Sequence, residues 1–155
     1  FIFFASLNCF AVNYQINASS GMDSPPLNSD QPQAYFAQAQ ISTFSKFIRF
    51  QSAFTFLYGT AYMEGEAAFG ASLYLLAPFV GTRAPVQPFL TGGGSMGFGS
   101  LDGEQRQDIG SYYGAGVDLK VNNRSGINFS VQQHAAQITS IRYLIGIYWI
   151  QGNLD

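Results

Sequence analysis

The stretch "IRFQSAFTFLYGTAY", residues 48–62, alternates along its whole length. Ile48, Phe50, Ser52, Phe54, Phe56, Tyr58, Thr60 and Tyr62 fall on one side of an extended chain, and Arg49, Gln51, Ala53, Thr55, Leu57, Gly59 and Ala61 on the other. A period of two means a strand whose faces meet different surroundings. In a soluble protein the aromatic face would turn into a core. In a membrane barrel it turns outward to lipid, and the small, polar face lines the interior.

The alternation recurs often enough to predict eight strands. The first is "FAVNYQIN", with Phe10, Val12, Tyr14 and Ile16 opposite Ala11, Asn13, Gln15 and Asn17. In the second, "YFAQAQIST", Tyr35, Ala37, Ala39 and Ile41 oppose Phe36, Gln38, Gln40 and Ser42. The third is 48–62. The fourth, "EAAFGASLYLLAPF", sets Phe69, Ala71, Leu73 and Leu75 against Ala68, Gly70, Ser72 and Tyr74. The fifth, "VQPFLTGGGSMGF", sets Val86, Leu90, Met96 and Phe98 against Gln87, Thr91, Gly93, Ser95 and Gly97. In the sixth, "IGSYYGAGVDLKV", Tyr113, Ala115, Val117 and Leu119 oppose Gly114, Gly116, Asp118 and Lys120. In the seventh, "GINFSVQQH", Ile127, Phe129 and Val131 oppose Asn128, Ser130, Gln132 and His134. In the eighth, "SIRYLIGIYWI", Ile141, Tyr143, Ile145, Ile147 and Trp149 oppose Arg142, Leu144, Gly146 and Tyr148.

Charge decides which face is which. Arg49, Glu66, Asp118, Lys120 and Arg142 all fall on the small, polar face. A Lys or Arg on a lipid face costs about 2–4 kcal/mol near the bilayer midplane, which accounts for the sorting. Composition agrees: only 10% of residues are charged, against roughly 25% in a typical soluble domain. The apolar runs "YLLAPFV" and "YLIGIYWI" are shorter than the ~20 residues of a membrane helix, and mean hydropathy is +0.08. The expectation is all-β: one domain over 1–155, an eight-stranded antiparallel transmembrane up-and-down β-barrel in a Gram-negative outer membrane. Phe50, Phe54, Phe56, Leu73, Leu75, Val117, Phe129, Ile145 and Ile147 would face lipid. An aromatic girdle would hold Tyr35, Tyr58, Tyr62 and Phe98 at the extracellular interface and Phe10, Phe79 and Trp149 at the periplasmic one.

Connections follow the same scheme. With both termini periplasmic, the long polar segments 18–33 and 99–108 take extracellular parity, and "VNNRSG" is a periplasmic turn. The opening "FIFFASLNCFA" reads either as the end of a secretory signal, with 1–8 residual, or as a lead-in to the first strand. Lacking an initiator Met, the chain is read as processed or as a fragment. Cys9, alone, makes no internal disulfide and is read as a small buried residue at a strand start.

The stretch "YYGAGVDLKVNNRSGINFSVQQ" followed by "YLIGIYWI" resembles the last three strands of small eight-stranded outer-membrane β-barrel proteins, the group around OmpA, OmpX and OmpW. "YLLAPFVGTRAPVQPFLTGGGSMGFG" is similar to that group's central hairpin, and the resemblance covers residues 67–150. It implies the outer-membrane assembly machinery as a partner. The group usually ends in an aromatic residue read by that machinery, whereas here "IQGNLD" follows Trp149.

An eight-stranded barrel is just wide enough for side chains to fill. Arg49, Glu66, Asp118, Lys120, Arg142, Gln51 and Gln132 are therefore expected to form an interior polar network, since buried charges must be paired. The function expected is a structural, anchoring or surface-interaction protein acting through segments 18–33 and 99–108, or a subunit docked to a larger envelope complex. Its partners would be the lipid bilayer, lipopolysaccharide and a protein bound at those segments. The alternatives are an outer-leaflet lipid-modifying enzyme resembling lipid A deacylases, or a narrow pore. The enzyme would need an outward His near the outer rim, and His134, the single histidine, has inward parity. "TGGGSMGFGS" lacks the Lys-Ser/Thr of a phosphate loop, and "GEQRQD" lacks the ligand spacing of a hard-cation site. No cofactor and no metal are expected. Net charge −2 and the absence of a basic patch argue against nucleic acid.

Overall fold

The computed structural model describes residues 13–24, 33–45, 47–59, 62–76, 84–101, 104–136 and 139–152. They form eight strands: β1 (Tyr14–Ser24), β2 (Ala34–Ser45), β3 (Ile48–Tyr58), β4 (Tyr62–Tyr74), β5 (Val86–Leu101), β6 (Glu104–Lys120), β7 (Ser125–Ala135) and β8 (Thr139–Gln151). Each pairs antiparallel with its sequence neighbours, and β1 pairs with β8 from Tyr14↔Gln151 to Ser24↔Ile141, so the sheet closes into a barrel with no edge. The turn after β6 is set by Asn122, whose Oδ1 accepts hydrogen bonds from the backbone N–H of Arg124 (2.8 Å) and Ser125 (2.9 Å), an Asx arrangement that reverses the chain.

All eight strands carry the predicted parity, and the two walls differ sharply. Eight charged strand residues, Asp23, Arg49, Glu64, Glu66, Asp108, Asp118, Lys120 and Arg142, all occupy inward register positions. No outward register position carries a charge. Phe50, Phe54, Phe56, Leu73, Phe129, Ile145 and Ile147 are exposed on the outer wall, Val117 is half-exposed, and Tyr35, Tyr58, Phe98 and Trp149 are each about half exposed there. Leu75, also exposed, lies just past the end of β4.

Four expectations are corrected. β1 runs on to Ser24, so residues 18–24 are wall and only 25–33 connect β1 to β2. Ser, Gly and Asp read as loop formers, yet Ser19, Gly21 and Asp23 take inward positions of β1, and Ser19 and Asp23 are buried. The segment 99–108 is likewise strand on both sides of residues 102–103, with Gly99↔Arg106 and Leu101↔Glu104 paired. The alternating stretch 48–62 is two strands: β3 ends at Tyr58, and β4 starts with Tyr62 in step with Glu64 and Glu66. Tyr62 therefore opens β4, paired with Leu101, rather than continuing β3. Finally, β4 ends at Tyr74 rather than at residue 79. Phe10, Phe79, Cys9 and the segment 1–8 lie outside the described residues.

The lumen is filled by more than polar groups. Phe36, Tyr74, Phe89, Tyr112 and Tyr148 point inward and are buried, and several of them rest against a glycine on another strand. A Cβ on Gly116 would lie 2.5 Å from Phe89 Cζ, and one on Gly21 would lie 2.9 Å from Phe36 Cζ. Gly70 and Gly126 make the same room for the hydroxyl ends of Tyr112 and Tyr148. Gly116→Leu is therefore expected to lower the unfolding free energy by about 2–3 kcal/mol through overpacking, measured by urea titration in detergent micelles. Gly94→Ala serves as control, because its nearest atom would be Gly110 O at 3.7 Å and the change should be small.

Candidate functional site

The inward positions build three layers of contacts along the barrel axis. Nearest the termini, Arg49 on β3 is 2% exposed and its Nη1 donates to Asp118 Oδ2 on β6 at 3.1 Å. Tyr74 Oη and Asn128 Nδ2 also donate to Asp118. The Arg49 guanidinium lies 4.8 Å from the Phe89 ring centroid and 5.2 Å from that of Tyr74, so cation–π contacts cover the charge where the carboxylate does not.

The middle layer turns on Gln51. Its Nε2 donates to Thr91 Oγ1 and Tyr112 Oη, both at 2.9 Å, and its Oε1 accepts from Ser72 Oγ at 2.9 Å and Gln40 Nε2 at 3.1 Å. One side chain thus ties together strands β2, β3, β4, β5 and β6. Beside it Gln38 Nε2 donates to Thr55 Oγ1 at 3.0 Å.

The layer farthest from the termini centres on Arg142. Its Nη1 and Nη2 donate to the two oxygens of Glu66 at 2.7 and 3.0 Å, and its Nε donates to Asp23 Oδ2 at 2.8 Å. This is the bidentate geometry a guanidinium fork provides, with a second carboxylate added. Phe36, Leu57 and Leu144 form a buried apolar cluster, and the Phe36 ring centroid lies 6.0 Å from the Arg142 guanidinium. His134 stacks on Tyr112 with centroids 5.3 Å apart. Its Nδ1 is 3.8 Å from Glu66 Oε2, and its Nε2 is turned to Gln132 Oε1 at 3.3 Å.

Of the residues expected inside, Arg49 and Asp118 form one ion pair and Arg142 and Glu66 another. Gln51 belongs to the layer between them, and Gln132 contacts His134. Lys120 is half-buried at the end of β6. Asp23 was missed because it lay in a supposed loop, although it keeps step with Gln15, Asn17 and Ser19. Alternation already sets Phe36, Tyr74 and Tyr148 on the inner face; what pairing of charges does not signal is that these rings, with Phe89 and Tyr112, belong to the site. Among the described residues no group of three His, Cys, Asp or Glu side chains is set to hold a metal ion.

Charge is also separated along the axis. Among the described residues, Asp23, Glu64, Glu66 and Asp108 with Arg142 occupy the half away from the termini. Four acids against one arginine give that half −3. Arg49, Lys120 and Arg124 against Asp118 give the other half +2.

Removing one partner of a buried ion pair leaves an uncompensated charge and costs about 3–5 kcal/mol. Arg142→Met is expected to lose that much in urea unfolding, since it strands both Glu66 and Asp23. Adding Glu66→Gln and Asp23→Asn to Arg142→Met should recover most of the loss, because the stranded charges are then gone.

No family model matches the chain, and no curated protein matches it in sequence. Solved structures do match in shape. The N-terminal β-barrel domain of Pseudomonas aeruginosa OprF superposes with a TM-score of 0.70 at 12% identity, covering 90% of this chain and 97% of that one. Neisserial surface protein A (NspA) gives 0.64 at 16% identity, covering 90% and 97%. The attachment invasion locus protein Ail of Yersinia pestis, solved in complex with the heparin analogue sucrose octasulfate, gives 0.61 at 11% identity, covering 90% and 99%. At these identities the likeness is one of backbone path, and it joins the closed antiparallel topology and the two-faced wall in one conclusion: the chain has the fold of the small eight-stranded outer-membrane β-barrels.

Proposed function

We propose that the protein is an integral barrel of a Gram-negative outer membrane, with a side-chain-filled lumen, that acts as an anchor and surface-interaction protein. The observation that carries this reading is the sorting of charge: eight charged strand residues at inward positions and none at a described outward one. A soluble barrel gains nothing from an uncharged outer wall, whereas in a bilayer each outward charge would cost kilocalories. β5 and β6, at 16 and 17 residues, exceed the ~9–11 needed to cross the hydrocarbon. Their hairpin and the connection 25–33 are the parts such a barrel would present to a protein partner, with lipopolysaccharide around the wall and the outer-membrane assembly machinery as the route in.

Lipid hydrolysis and a pore are less well supported. His134 is 4% exposed inside the lumen, stacked on Tyr112, and directs Nε2 to an amide oxygen rather than to a nucleophile. The Gln51 layer and the Arg142 node cross the lumen between opposite walls, which leaves side chains where a conducting path would run.

Ail holds a sulfated sugar analogue. In this chain the half farthest from the termini has a net charge of −3 among the described residues, which would repel a polysulfate. The refolded protein is expected to pass through immobilised heparin without retention at low salt, and retention there would contradict this reading of the acidic end.

The membrane reading is tested by refolding the chain into detergent micelles and comparing unheated with boiled samples on a gel. A closed barrel resists the gel's detergent and shifts in mobility only on boiling. A chain that shows no shift and stays soluble without detergent would instead bury Phe54 and Phe56 in a core.

A further inference from the structure

We propose that the upper flank of β6, above the closed ring, is a docking edge for an extended, basic segment of a partner protein, which would add to the β5–β6 hairpin as a further strand. This rests on the reading that the hairpin is presented outside the membrane. The ring closes only as far up as neighbouring strands reach. β6 pairs one-to-one with β5 from Leu101↔Glu104 to Val86↔Leu119, without a bulge. Its pairing with β7 begins only at Ser111↔Ala135, where β7 ends. Among the described residues, 104–110 therefore have a strand neighbour on one side alone, over about 23 Å of strand. Such an edge offers backbone N–H and C=O groups to any chain that can extend along it. The segment holds no Pro, so every residue keeps its N–H, and no Lys.

The edge stands clear of the hydrocarbon. About 9–11 residues of a tilted strand cross it, and counted from Leu119 they reach 109–111. Beyond them Gln105 and Gln107 are exposed at outward positions. Charge then identifies the occupant. Asp108 stands at an inward position opposite Gly97, and the Glu64 carboxylate lies against that same glycine, where a Cβ would meet it. The half of the barrel around them carries −3 among the described residues. A strand added where β7 leaves off would turn alternate side chains to this acidic side and the others toward Gln107 and Ile109. Lys or Arg at every second position fits that pattern, since opposite charges on neighbouring strands attract. A second copy of the chain would bring the same acids and be repelled.

The test uses the full chain, isotope-labelled and refolded into detergent micelles at low salt, with a blocked nine-residue peptide of alternating Lys and Thr as probe. Saturable amide shifts are expected along residues 104–110, and a peptide with Glu in place of Lys should give none. In an extended peptide the N–H groups of every second residue point to the same edge. The Lys N–H groups therefore lie on one edge of the probe and the Thr N–H groups on the other. With the Lys side chains held to the acidic side, only one of those edges meets β6. Methylating the Lys nitrogens or the Thr nitrogens should then weaken binding about tenfold in one case and little in the other. Equal affinity of the two methylated probes would mean attraction by charge alone and would overturn the docking edge. So would shifts spread over the whole acidic end, no shift with the unmethylated probe, or shifts at 104–110 that grow with protein concentration when no probe is present, which would make the occupant a second copy. Glu64→Gln with Asp108→Asn should weaken the unmethylated probe about fivefold, and unchanged affinity would overturn the choice of a basic partner. The heat-dependent gel shift is scored on the same samples: an intact shift without binding sinks only the docking edge, whereas its loss sinks the barrel reading beneath it.

Discussion

A wall one strand thick has no second layer behind it. Every residue along it faces either the inside or the outside of the barrel, and a single alternating sequence must satisfy both surroundings at once. Sandwiches and α/β folds can correct a poorly patterned strand by covering it with another element; this fold cannot. That constraint accounts for the tight partition of charge between the two faces and for the length over which parity persists, up to the 17 residues of β6.

Once the sheet closes, the interior volume is set by the number of strands and must be filled. The chain fills it with two kinds of material. Rings from β2, β4, β5, β6 and β8 take part of the space, and glycines such as Gly116 and Gly21 give up their side chains to admit Phe89 and Phe36. The remaining room goes to polar groups that satisfy one another, with Asp118 receiving three donors and Arg142 serving two carboxylates. The rings and the ion pairs depend on each other. Phe89 and Tyr74 flank the Arg49 charge, and Tyr112 joins the Gln51 hydrogen bonds to the His134 stack.

Much of this was legible in the sequence because period-two patterning and charge placement are local signals. The strand number, the parity of every strand and the inward assignment of Arg49, Glu66, Asp118 and Arg142 needed nothing beyond alternation and the sorting of charge between its two faces. What escaped was set by partners distant along the chain. Ser19, Gly21 and Asp23 resemble a loop until β8 lies beside them and Arg142 faces Asp23. The same holds at 99–108, where polar residues continue a ladder whose other half lies across the hairpin. Tyr62 shows the converse failure: the alternation runs on past Tyr58 without a break, although Tyr62 belongs to the next strand. Which acid meets which base was not legible either, since Glu66 lies nearer in sequence to Arg49 yet pairs with Arg142 across the lumen.

The contact between Asp23 and Arg142 joins residues 119 positions apart, and the two stand directly opposite each other on the β1–β8 seam. That seam unites the first strand with the last, so its loop-closure entropy is the largest in the fold and its pairing comes late in folding. A slip of one residue at that moment would turn one of the two partners toward the outer wall, and a slip of two would keep both inward but separate them, leaving Asp23 buried without Arg142. The ion pair therefore discriminates between registers at the single step where neighbouring hairpins can no longer do so. Its worth to the protein is better measured as fidelity of ring closure than as stability of the finished ring.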